Sequence, residues 1–131
     1  MRVWSSGALM AWAPVAAEAQ DGFEDVIRAQ IDAFRRNDLV AAFEYASPAI
    51  QGLLGTPDRF GWMVQRGYPM VWRPGDLLFL AQRSEGGQYW QRVLIHDQSG
   101  MQHVLDYQMV QVKDDWRINA VQILPAQGVG A

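Results

Sequence analysis

The sequence predicts an α+β domain in which N-terminal helices pack on an antiparallel sheet, and three observations carry that prediction. Apolar residues recur at helical spacing through the first half and alternate with polar ones from Asp76 onward. The change of period falls within one aromatic-rich stretch, Gly67-Tyr68-Pro69-Met70-Val71-Trp72-Arg73-Pro74. Capping residues stand where helices need them in the first half, and turn-forming clusters punctuate the second half at hairpin spacing. At 131 residues the chain has room for one core.

Asp21-Gly22-Phe23-Glu24 fits a capping box, so the first helix is expected to begin there. Phe23, Ile27, Ile31 and Phe34, with Val26 beside them, form one apolar stripe that carries the helix to near Arg36. Asn37-Asp38 interrupts the stripe and places Asp38 to cap a second helix bearing Leu39, Val40, Phe43 and Ala46. Ser47-Pro48 and Thr56-Pro57 each set a hydroxyl cap before a proline at the first helical position, where its missing N–H costs nothing. The helix after Thr56 presents Phe60, Met63 and Val64 on one face, and Gly67 is expected to close it in the left-handed conformation. Pro69 then steers Tyr68 to extended backbone.

Strands are expected over residues 77–84, 89–96, 101–113 and 116–124, joined by turns at Glu85-Gly86-Gly87, Asp97-Gln98-Ser99-Gly100 and Asp114-Asp115. A four-residue loop at 97–100 pairs His96 with Met101, which sets Gln91 opposite Asp106 and Trp90 opposite Tyr107. With a two-residue turn at Asp114-Asp115, Lys113 faces Trp116. Neither face is purely polar. Helices are therefore expected over one face, and a second copy of the chain over part of the other.

Half of the residues are hydrophobic and 19% are charged, a balance far from that of disordered chains. A net charge of -3 with scattered arginines gives no basic footprint, so nucleic acid is excluded as a partner. The absence of cysteine removes thiol nucleophiles, disulfides and thiolate metal sites together. At the N-terminus, Arg2 precedes an apolar run over residues 8–16 and the small-x-small triplet Ala17-Glu18-Ala19 before Gln20, the order of a secretory signal. The expected organisation is a signal segment over residues 1–19, one domain over 20–125 and a frayed tail over 126–131, in a periplasmic or secreted protein. No later run approaches the roughly 18 apolar residues of a membrane span, so none is expected in the mature chain.

Several short motifs point to a family. Gln30-Ile31-Asp32-Ala33-Phe34, Ala41-Ala42-Phe43-Glu44-Tyr45-Ala46-Ser47-Pro48, Gly67-Tyr68-Pro69, Gln91-Arg92-Val93 and Asp115-Trp116-Arg117-Ile118 resemble the bacterial domain-of-unknown-function 4864 family, over roughly residues 26–124. The order of elements is similar to the nuclear-transport-factor-2-like superfamily, whose curved sheet and helices form a cone. What the resemblance implies is this fold; it transfers no chemistry.

In such a cone the open end is a pocket, and pockets are apolar with a few convergent polar groups. Tyr45, Tyr68, Trp72, Gln91, Asp106, Tyr107 and Asn119 are the candidate lining residues. Tyr68, leaving a helix before Pro69, can aim its ring across the mouth, with Trp72 facing it; the plainer expectation is a hydrophobic plug anchoring the last helix to the sheet. Trp90 and Tyr107 read as core or interface aromatics. Asp106, within an apolar strand, can serve as a proton-transferring base only if burial raises its pKa; pairing with Arg92 or Arg117 is the simpler expectation. His96 and His103 are expected on one face, two pairs apart and without a third ligand, so no metal site is predicted. No pattern requires a cofactor. The leading functional expectation is a non-catalytic exported domain that binds a small apolar ligand or acts as an interaction module, and that homodimerises through its sheet. The alternatives are an isomerase- or dehydratase-like enzyme with Asp106 or a tyrosine as base, and a purely structural dimer.

Overall fold

The computed structural model describes residues 17–125. Five helices precede four strands: α1 (Ala17–Arg35), α2 (Leu39–Glu44), α3 (Pro48–Leu54), α4 (Pro57–Gly67), α5 (Pro69–Trp72), β1 (Pro74–Glu85), β2 (Gln88–Asp97), β3 (Gln102–Val112) and β4 (Asp115–Ile123). The strands form one curved antiparallel sheet in sequence order, with β1 and β4 at its edges. The apolar run at residues 8–16 and the tail at 126–131 lie outside the described residues. Ala17, Glu18 and Ala19, the expected cleavage triplet, belong to the first turn of α1.

The stripe on α1 is buried as its spacing requires: Phe23, Ile27, Ile31 and Phe34 are fully enclosed against the sheet and the other helices. The helix starts four residues earlier than the capping box implied, so Asp21 lies within it. Its far end is closed by Arg73, whose guanidinium donates to the Phe34 carbonyl at 2.8 Å and to Asn37 Oδ1 at 2.7 Å. The first bond adds to the one that the Phe34 carbonyl accepts from the Asn37 amide at 3.0 Å, and the second fixes the Asn37 side chain.

Of the four expected caps, the one at Asp21 is not formed and the other three are in place. Asp38 accepts from the Ala41 amide, Ser47 from Ile50 and Thr56 from Arg59, with Pro48 and Pro57 opening their helices. Gly67 is the last residue of α4 and is not left-handed; the chain is turned instead by Tyr68, with φ -137 and ψ 58. Pro69 then opens α5, so the stretch expected to be extended carries one further helical turn. Proline supplies the φ that such a first turn needs.

Two hairpin registers differ from expectation. The Asp97 amide donates to the Met101 carbonyl, leaving a three-residue loop, Gln98-Ser99-Gly100, with Gly100 at φ 90. Glycine at the left-handed position is the ordinary closure of such a loop. His96 therefore pairs with Gln102, Gln91 with Tyr107 and Arg92 with Asp106, one residue away from the expected register. His96 and His103 consequently lie on opposite faces. The last turn is Lys113-Asp114, with Lys113 at φ 58, and Gln111 faces Trp116.

Candidate functional site

Helices cover one face of the sheet and leave a cavity of about 250 Å³ between them and the strands. Gln30 and Phe34 of α1 form its floor on the helical side, Phe60, Met63 and Val64 of α4 one wall, and Tyr68 and Val71 the next. Tyr107 of β3 and the run Ile118-Asn119-Ala120-Val121 of β4 supply the sheet side. Its volume lies just below the roughly 300–1,000 Å³ typical of small-molecule sites.

The β4 wall depends on a bulge. Met109 pairs with Ile118 but Gln108 pairs with Ala120, so Asn119 is an extra residue on β4. The insertion returns Val121 to the face of Tyr107 while keeping Ile118 there too. Asn119 is fixed at both ends of its amide: its oxygen accepts from Ser47 Oγ at 2.7 Å, and its nitrogen donates to Gln108 at 2.8 Å. A parallel bridge between Ala46 and Ile118 ties the segment before α3 to the same strand.

Tyr68 reaches across from the start of α5 and donates its hydroxyl proton to the Val121 carbonyl at 3.1 Å. Tyr107 is fully enclosed, and its hydroxyl has no hydrogen-bond partner among the described residues. Burial pushes the Tyr107 phenol well above its ordinary pKa, and the neighbouring Tyr68 adds to the shift. It stays protonated at any physiological pH. Gln30 donates to the Ala42 carbonyl at 3.1 Å. No carboxylate, guanidinium or ammonium stands among the described residues lining the cavity.

Of the seven residues singled out from the sequence, Tyr68, Tyr107 and Asn119 meet in this cavity, and four do not. Trp72 packs on Phe34 at 5.4 Å between ring centroids and carries the Arg73 guanidinium 4.4 Å above its own. Tyr45 lines a shallow groove on the surface beside Trp116 and Arg117. Gln91 shares a face with Tyr107, but its amide is spent on the Leu80 and Arg92 carbonyls, where β1 bulges. Asp106 belongs to the opposite face.

There Asp106 receives Arg92 in a two-point contact at 2.9 and 3.0 Å and Arg83 at 3.2 Å. Desolvation pushes its pKa up, but the hydrogen bonds and charges of Arg92 and Arg83 outweigh that and hold the carboxyl below its ordinary value. A proton-accepting role needs the reverse. The expected arginine pairing is present with Arg92; Arg117 pairs with Asp115 instead.

At the far end of the β2–β3 hairpin, Asp97 accepts from His103 at 2.9 Å and from Ser99 Oγ at 2.6 Å, and these bonds hold its carboxyl well below the usual range. Among the described residues, no three His, Asp or Glu side chains converge to hold a metal ion.

Phe34, Phe60, Met63 and Val64 were legible as stripe residues without any sign that their stripes border an opening. Ala120 and Val121 were not singled out, because the bulge that turns Val121 inward has no signature in the alternation.

With that geometry in place, comparison with known proteins is informative about lineage. The profile of the family described as domain of unknown function (DUF4864) matches residues 16–131. The chain belongs to this family. A crystal structure described as an NTF-2-like protein of unknown function from Shewanella oneidensis MR-1 superimposes with a TM-score of 0.52 and 17% sequence identity. The match covers 80% of this chain and 98% of that one, and at such identity it shows the fold alone. No curated protein matches the chain. Among the described residues, no helix is long and apolar enough to cross a membrane.

Proposed function

We propose that this member of the family is a non-catalytic binding module for a small uncharged molecule, held in the cavity between the helices and the sheet. The observation that carries the reading is the wall itself: apolar side chains and aromatic rings, with no charged group among the described lining residues. Apolar lining with few polar groups is the usual character of small-molecule sites, and burying a charged ligand there would be costly. The enzymatic alternative needs a base in the cavity. Asp106 is on the other face and Tyr107 holds its proton too tightly, which favours binding over turnover.

A second inference concerns the uncovered face of the sheet. Leu78 pairs with Leu94, and Leu94 with Val104, making an apolar row across three strands. Leu78 is 56% exposed and Leu80 39%. Homodimerisation through this row would cover it.

Native mass spectrometry of the protein purified gently from its own host tests the binding reading, and also reports the expected start of the mature chain at Gln20. The expected result is a complex carrying one small organic molecule per chain. A bare mass in every preparation, with a melting temperature unmoved by neutral ketones and hydrocarbons, would overturn the binding reading; intact Met1 would sink export.

A further inference from the structure

The residues around the cavity divide into a floor and a rim. Gln30 and Phe34 of α1 and Tyr107 of β3 are buried. The lining residues that keep some exposure are Ile50 of α3, Met63 of α4, Tyr68 at the start of α5, and the run 119–121 of β4. The cavity therefore opens between α3–α4 and β4, an edge strand. One end of that mouth is held by several bonds: the Ala46–Ile118 bridge, with its backbone hydrogen bonds at 2.8 and 2.9 Å, and the Ser47–Asn119 contact. The other end depends on one side chain. Tyr68 donates its hydroxyl proton to the Val121 carbonyl at 3.1 Å, and among the described residues no second hydrogen bond or ion pair joins the α4–α5 segment to β4.

From this geometry we infer that Tyr68 is a strap across the mouth: bonded to Val121 it shuts the cavity, and released it lets a ligand in or out. The inference rests on the binding reading above and adds how the site is entered. The two ends of the mouth differ in what release costs. Freeing the Ala46–Ile118 end means breaking backbone pairing, whereas freeing the Tyr68 end means rotating one ring. That side chain takes no part in capping α5, so its rotation leaves the helix bonds intact. A single neutral hydrogen bond favours the closed arrangement by roughly two- to tenfold, enough to slow exchange and too little to lock it. The strap closes over the empty and the filled cavity alike, so it acts on the rates of entry and exit together.

Tyr68→Phe provides the test, because it keeps the ring on the wall and removes the tie. The probe is benzene, which apolar cavities of about 150 Å³ admit; this one is about 250 Å³. Benzene offers the phenol no ordinary acceptor, so loss of the hydroxyl acts through the strap and not through a lost contact to the probe. It is titrated into the methyl-labelled full chain and into the variant, and the line shapes of the Val64 and Ile118 methyls, which border the cavity, give the on-rate and the off-rate. Both rates are expected to rise roughly two- to tenfold in Tyr68→Phe. A change confined to one of the two rates would mark Tyr68 as a wall contact and overturn the strap. If benzene shifts the methyls and neither rate changes, the strap fails and the binding reading stands. If benzene moves no cavity methyl at millimolar concentration, both fail.

Discussion

At the scale of single residues, Asp106 illustrates how neighbours decide chemistry. A carboxylate with 3% of its side chain exposed would ordinarily resist ionisation, yet two guanidiniums reverse the outcome. Because its pKa in the folded chain is depressed below the ordinary value near 3.8, it contributes stability that is present above that pH. The contribution disappears as pH falls through the folded-state value. Asp106→Asn, which keeps the shape and removes the charge, should cost about 1–2 kcal/mol at pH 7. That brackets the lower end of the roughly 1.5–3 kcal/mol range for hydrogen bonds to charged groups, because Arg92 is 39% exposed and partly screened by water. Urea unfolding at several pH values checks this: the gap between the two proteins should narrow on acidification, and a gap that holds at pH 2 would contradict the account. From the sequence, Arg92 was a named partner for Asp106, but its position directly opposite was hidden by a one-residue error in the hairpin loop.

Elements meet through contacts that propensity alone does not reveal. Gly22 lies inside α1, where replacing glycine with alanine normally favours the helix by about 1 kcal/mol. Here a Cβ would stand 2.6 Å from Cδ1 of Trp116. That indole is fixed in an aromatic cluster, 4.8 Å from the Phe23 ring and 5.3 Å from Tyr89, so it has no easy retreat. Overpacking of this kind costs roughly 1–3 kcal/mol, and it should outweigh the propensity gain. Gly22→Ala is expected to lower stability by about 1 kcal/mol; a higher melting temperature would show that Trp116 can yield. Helix starts at Asp38, Ser47 and Thr56 were legible because a cap is a local device, written in adjacent residues. The close approach of Gly22 to Trp116 spans most of the chain and leaves no trace in either segment. Strand positions were likewise legible from alternation and turn clusters, whereas the bulge at Asn119 was not, since one extra residue only shifts the period.

For the molecule as a whole, the layered arrangement leaves an asymmetry: helices seal one face of the sheet, and the other has no covering element among the described residues. A sheet with apolar residues on both faces normally buries both. On the open face, the row Leu78, Leu94 and Val104 runs beside a cluster in which Arg83 and Arg92 meet Asp106, and Arg83 also lies 5.2 Å from the Trp90 ring. An apolar row flanked by polar groups that already have partners suits a two-fold interface, in which each copy presents the same patch to the other. The apolar row would supply most of the association energy, because the ion pairs exist before contact and gain little from it. Leu78, the most exposed member, is therefore the position to disrupt. Sedimentation velocity at tens of micromolar should give twice the chain mass for the unmodified protein and a monomer for Leu78→Lys. Association coupled to folding also makes the melting temperature rise with protein concentration, and that dependence should vanish in Leu78→Lys. A monomeric unmodified protein with a concentration-independent melting temperature would mean that the open face meets water, and that the buried end of Asp106 is covered by its own arginines alone.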